Sequence, residues 1–104
     1  MLEIEHPLTG QRMQVANKDF AYEMNWYEAL EACEKLGSGW RLPSIEELHV
    51  MCEVLEKKGN FNDSWYWSSS EFDTSDAFIK YLNSGAQSVD DKSNTGYVRA
   101  VRAF

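Results

Sequence analysis

Leu2 and Ile4 alternate with Glu3 and Glu5, and Met13 and Val15 alternate again after the stretch His6-Pro7-Leu8-Thr9-Gly10. A period of two on both sides of a Pro- and Gly-bearing turn predicts an opening β-hairpin. From residue 26 the period changes. Trp26, Ala29, Leu30, Cys33 and Leu36 recur at helical spacing, with Asn25 before them, Glu28 three residues on and Gly37 after them. That is a helix with a capping box at its start and a left-handed stop at its end. A second helix is expected after Pro43, where Ser44 and Glu47 form another box and Ile45, Leu48, Met51, Cys52 and Leu55 make the apolar stripe. Glu46 and Glu47 at its start, Lys57 and Lys58 at its end, and a terminating Gly59 complement the helix dipole.

Beyond Trp65 the pattern is one of short strands. Tyr66–Ser68 and Ala77–Leu82 are candidates, and Asn83-Ser84-Gly85 turns the chain into a strand near Ala86–Val89. The polar run 90–96 reads as a loop, and Tyr97–Arg102, rich in strand-favouring residues, as the closing strand. Hairpin, two helices and a meander make an α+β domain, with the last strand expected to pair with the first and bring the chain ends together.

Length and composition narrow the function. At 104 residues the chain fits a single domain, and 43% hydrophobic with 13% aromatic content supports a packed core. Trp26, Trp40, Trp65 and Trp67 are too large to hide anywhere else, and Trp26 and Trp40 above all are expected there. A net charge of −7, with Lys57–Lys58 the only adjacent basic pair, opposes binding to nucleic acid. No apolar run reaches membrane-spanning length, and the acidic first residues do not form a signal peptide, so a cytoplasmic product without membrane insertion is expected. Cys33 and Cys52 both fall at apolar helical positions and read as buried free thiols.

Little in the sequence suggests catalysis or a cofactor. His49 and Cys52 share a helix face, but a structural zinc needs four ligands, and no orienting third group marks a Cys–His nucleophile pair. Glycine-rich phosphate motifs are absent. Glu71, Asp73, Asp76, Asp90 and Asp91 read as solvated loop acids, with a calcium site as the alternative if loops converge. The expectation is a non-enzyme with no catalytic residue, no metal and no cofactor.

The stretch Asn25–Met51, with its Trp-x-x-Ala-x-x-x-Cys helix and the Trp-Arg-Leu-Pro-Ser lead into a Glu-Glu-Leu helix, resembles the two-helix half of a C-type-lectin-like domain. Tyr66-Trp67-Ser68-Ser69-Ser70-Glu71 and Tyr97-Val98-Arg99-Ala100-Val101-Arg102 sharpen the likeness. Together they resemble the bacterial family named after the Legionella collagen-like protein C-terminal domain, and are similar to the Fibrobacter major paralogous domain. The ending Gly96–Phe104 resembles variable proteins of diversity-generating retroelements. The resemblance covers roughly residues 20 to 104. It implies two helices packed on a small, mostly antiparallel twisted sheet.

The resemblance also implies what differs. The family's helix cysteine, here Cys33, often pairs with a last-strand cysteine where this chain has Ala100, so no disulfide is expected. The Glu-Pro-Asn, Gln-Pro-Asp and Trp-Asn-Asp strings of calcium-dependent lectins do not occur. Formylglycine-generating enzymes share a related fold but are far longer and use a cysteine pair of different spacing, which makes them a distant alternative. Arg41, Arg99 and Arg102 match scaffold positions, and Arg99 and Arg102 are expected to form salt bridges within the sheet, with recognition of an anionic ligand as the alternative.

The function implied is ligand display, as in the retroelement variable proteins, with a protein or glycan as partner. The alternative is a structural or oligomerising module of a phage or bacterial surface assembly, and self-association is left open. Residues 72–94 mix aromatic, acidic, amide and hydroxyl side chains, the chemistry of adaptable recognition on loops. Phe72, Asp73, Asp76, Phe78, Lys80, Gln87, Asp90, Asp91 and Asn94 are the candidate contacts. Alternation does not decide between the Phe78/Lys80 and Ile79/Tyr81 faces. Lys80 is the only charge there, so its face is taken as exposed.

Overall fold

The computed structural model describes residues 2–103, apart from the side chains of Glu56 and Lys57. Lys57 as a helix-end charge and Phe104 in the closing motif therefore lie outside the described residues. The opening hairpin is present, with β1 (Leu2–Glu5) antiparallel to β2 (Arg12–Val15) and Ile4 opposite Met13. The closing strand is shorter than expected: β6 (Val101–Ala103) pairs with β2, giving the order β1-β2-β6. The last strand therefore joins the second strand rather than the first. The residues before it are used differently, with Tyr97 bridging Tyr66 of the other sheet.

Both helices form where the periodicity places them. Helix α1 (Trp26–Lys35) has both bonds of its capping box, Asn25 Oδ1 accepting from Glu28 N at 2.9 Å and Glu28 Oε1 from Asn25 N at 3.0 Å. Gly37, at φ +77°, supplies the left-handed backbone after it. Leu36 caps the helix and is exposed rather than part of the stripe. Helix α2 (Ile45–Leu55) is boxed by Ser44 and Glu47 and runs into a 3-10 turn (Glu56–Gly59). The left-handed residue after that turn is Asn60, at φ +53°. Gly59 is needed for room instead, because a Cβ there would come within 2.2 Å of the Phe61 ring.

A second sheet has the order β3 (Trp65–Glu71), β4 (Asp76–Tyr81), β5 (Gln87–Asp91), all antiparallel. The fold is thus α+β with two helices and two small antiparallel sheets rather than one. Strand alternation divides the core in two. Tyr66 joins Leu48, Met51, Leu55, Val15 and Val101 on the α2 side, while its neighbour Trp67 joins Trp26, Ala29, Cys33 and Ile79 on the α1 side. Trp67 is fully buried and Trp26 nearly so. Trp40 corrects the expectation: it is half-buried, with Arg102 4.9 Å above its ring. Cys33 is buried and Cys52 half-buried, its Sγ donating to Leu82 O at 3.1 Å. No described helix is long and apolar enough to cross a membrane.

Candidate functional site

The candidate residues fall on β4, β5 and the loops at one end of the second sheet. Asp73 shapes the first loop. Its Oδ1 accepts from Ser75 N at 2.9 Å and Asp76 N at 2.7 Å, an Asx turn that aims Phe72 outward, 58% exposed. Phe72 meets Phe78 edge to face, with centroids 5.7 Å apart. Across β4 and β5 the register sets Asp76 opposite Asp91 and Phe78 opposite Val89. Asp91 Oδ1 accepts from the Ser93 hydroxyl at 2.6 Å, which holds its carboxyl below the usual range. Asn94 Nδ2 donates to Asp90 Oδ1 at 2.8 Å. Desolvation, followed by the nearby Asp73, Asp91 and Asp90 charges, pushes the Asp76 carboxyl up.

Lys92, which the sequence did not single out, fastens this end together. Its side chain is buried, and Nζ donates to Glu71 Oε1 at 2.7 Å, Asp73 O at 3.0 Å and Thr74 O at 3.2 Å. The same ammonium lies 4.5 Å from the Trp26 ring centroid, and Lys92 O accepts from Trp26 N. The hydrogen bond to Glu71 raises the Lys92 pKa against the opposing effect of desolvation. A built-in cation thus sits among the loop oxygens. No cluster of three or more His, Cys, Asp or Glu that could hold a metal occurs among the described residues. His49 and Cys52 are separately engaged, His49 with Glu53 at 3.0 Å.

Lys80 is the clear correction. It is 3% exposed, paired with Tyr66 across the β3–β4 ladder, and its Nζ donates to Gly85 O at 2.9 Å. The strand faces are not uniform: Ile79 is buried, Phe78 half-buried and Tyr81 exposed. The Lys80 end of its face lies with Tyr66 beside the α2 core, and Gly85 with Cys52, so it is covered where the Asp76 end is open. Gln87, opposite Lys80, remains exposed. Phe72, Asp73, Asp76, Phe78 and Asp91 are brought together on one face. Asp90, bonded to Asn94, lies at the same end but turns to the Ala77 face, and Lys80 and Gln87 lie at the far end of the strands. Tyr27, missed by the sequence reading, adds an exposed ring beside Trp26 and near enough to Lys92 to act on its charge. Its place on the polar side of the α1 stripe was the available signal.

An open cleft of about 480 Å³ lies elsewhere, between residues 18–21, 60–62 and Tyr97. Its polar groups bind one another. Asp19 accepts from Arg99 Nε at 2.7 Å, the Tyr66 hydroxyl at 2.6 Å and Asn62 Nδ2 at 2.7 Å. Arg99 Nη1 also donates to Ala16 O and Gly59 O, both at 3.0 Å. Burial and then the bond to Asp19 drive the Tyr66 phenol up. The arrangement is a clamp between loops. Arg41 likewise grips Glu47 with two bonds of 2.6 and 2.7 Å, and Arg102 Nε donates to Gln14 Oε1.

A family profile described as the Lcl C-terminal domain matches residues 5–102. Among solved structures, the crystal structure of botrocetin aligns with a TM-score of 0.60 at 12% identity, covering 95% of each chain. A complex of botrocetin with a von Willebrand factor mutant A1 domain aligns with a TM-score of 0.58 at 14% identity, again over 95% of each chain. At this identity the likeness establishes the C-type-lectin-like fold and nothing finer. No curated protein matches the chain.

Proposed function

This chain belongs to the Lcl C-terminal domain family, and from that premise we propose that it binds a protein ligand through the loop-and-strand surface of residues 72–94, without catalysing a reaction. The observation that carries this reading is the ordered, exposed end of the second sheet. Phe72 and the carboxylates of Asp73 and Asp91 face solvent on loops fixed by Asx turns and by Lys92. Such a surface pays little ordering entropy on binding, which favours affinity. A botrocetin structure bound to the von Willebrand factor A1 domain supports a protein as the class of ligand. Burial and the neighbouring Glu34 push the Cys33 thiol up to about 12, which suits a structural thiol rather than a nucleophile. The reading includes tolerance of sequence variation on this face, as in retroelement variable proteins.

A library varying Phe72, Asp73, Asp76, Gln87, Asp91 and Asn94, panned against purified proteins and glycans, tests the reading. Exposed substitutions typically change stability by no more than about 0.5 kcal/mol each. Asp73→Asn, Gln87→Ala and Asp91→Asn together should keep a near-native Tm while altering what is bound. If most clones lose their fold, or if binding never changes with these positions, the surface is not the binding face.

A further inference from the structure

The second sheet has one covered edge and one open edge. On the β3 side, Trp67 N donates to Tyr97 O at 3.0 Å and Tyr97 N to Trp65 O at 3.3 Å, which closes that edge. On the β5 side the phase of the ladder follows from its ends. Tyr81 N donates to Ala86 O at 2.8 Å, and Lys92 N to Ser75 O at 2.9 Å. With Ile79 opposite Ser88 and Ala77 opposite Asp90, the even-numbered residues of 86–92 turn their backbone groups to β4. Gln87, Val89 and Asp91 therefore turn theirs outward. At Asp91 the outward groups are already used, its N–H by Asp90 Oδ1 at 2.8 Å and its carbonyl by Asn94 N at 3.0 Å. Among the described residues, Gln87 and Val89 retain an open edge, where only the Ser88 hydroxyl approaches the Val89 carbonyl, at 3.5 Å.

We propose that this β5 edge takes up an extended, basic segment of the partner protein as a fourth strand of the sheet. The proposal rests on the binding-face reading above and specifies the ligand's chemistry. Strand addition supplies main-chain bonds at Gln87 and Val89, and alternate side chains of the incoming strand land on the face that carries Asp76, Phe78, Val89 and Asp91. Lys or Arg at those positions meets carboxylates that repel one another in the free protein. The charge pattern selects this occupant over a second copy of the chain, which carries a net charge of −7 and would bring its own Asp90 and Asp91 to the same edge.

The test uses short synthetic peptides with Lys or Arg alternating with Thr or Val, beside a matched set with Glu at the basic positions. The basic set should bind at least about tenfold more tightly than the acidic set, with affinity falling as salt is raised. Binding should slow amide exchange at Gln87 and Val89. Val89→Pro removes an outward N–H without breaking a bond to β4, so it should keep the fold and weaken binding by about tenfold or more. Should that variant fold poorly, peptides N-methylated at alternate residues put the same question to the unaltered protein. Equal binding by Val89→Pro and by N-methylated peptides, still sensitive to Asp73→Asn with Asp91→Asn, would overturn strand addition and leave the binding face standing. Indifference to all these changes would sink both. Concentration-dependent protection of Gln87 and Val89 without peptide would assign the edge to a second copy, and so overturn the proposal.

Discussion

Trp67 and Trp40 put the same side chain to different uses. Trp67 is fully buried, meets Trp65 edge to face at 5.0 Å and donates from Nε1 to Met24 O at 2.9 Å. Trp40 lies half-open beneath Arg102. Trp67→Ala should therefore cost about 3–5 kcal/mol, against a typical domain stability of roughly 5–15 kcal/mol. Trp40→Ala should cost about 1–2 kcal/mol. Thermal melts of the two variants check the order, and an equal loss of Tm would contradict it. The sequence marked tryptophans as core and ranked Trp26 and Trp40 first, which holds for Trp26 and fails for Trp40, because Trp40 follows Gly37-Ser38-Gly39 in a link without period. Lys80 and Lys92 were illegible for a related reason. A lysine reads as exposed, yet each of these ammonium groups reaches loop carbonyls whose positions depend on turns that alternation does not encode.

Helix starts were the most legible elements, since a capping box is local chemistry: Asn25 with Glu28, and Ser44 with Glu47. The double use of Glu47 was not legible, because Arg41 reaches it only once the link before α2 has folded. Burial works against the Glu47 charge, but the Arg41 guanidinium and the Ser44 bonds prevail and hold its carboxyl below the ordinary value of 4.5. A depressed folded pKa means that the extra stability is complete above the ordinary carboxylate range and is lost as pH falls through the folded value. Glu47→Gln keeps an acceptor for the box and removes the charge. It should cost about 1 kcal/mol near pH 7, a figure reduced by the exposure of Arg41, and progressively less as pH falls through the folded value. Tm measured against pH for both proteins checks this, and a difference independent of pH would refute it. Strand existence was also legible, whereas the pairing of β6 with β2 was not, since pairing is settled by long-range packing around Val15 and Val101.

At the scale of the whole molecule, Asp19 and Arg99 tie together segments far apart in sequence: the link before α1, the turn after α2, the Tyr66 strand and the approach to β6. Arg99 is 1% exposed, so removing its carboxylate partner leaves a buried charge without compensation. Asp19→Ala should cost about 3–5 kcal/mol, read from urea unfolding. A loss under about 1 kcal/mol would show that the backbone carbonyls alone satisfy the guanidinium. The two sheets are also assembled from different parts of the chain. The first draws on residues 2–15 and 101–103, while every strand of the second lies within residues 65–91. One uninterrupted stretch of coding sequence thus specifies the strands of the proposed recognition face, and the strand that completes the other sheet is encoded downstream of it. Variation confined to the loops and outer face of that stretch leaves both helices and the opening hairpin as inherited, whereas exchange of the whole stretch would also replace Tyr66 and Trp67, one in each core.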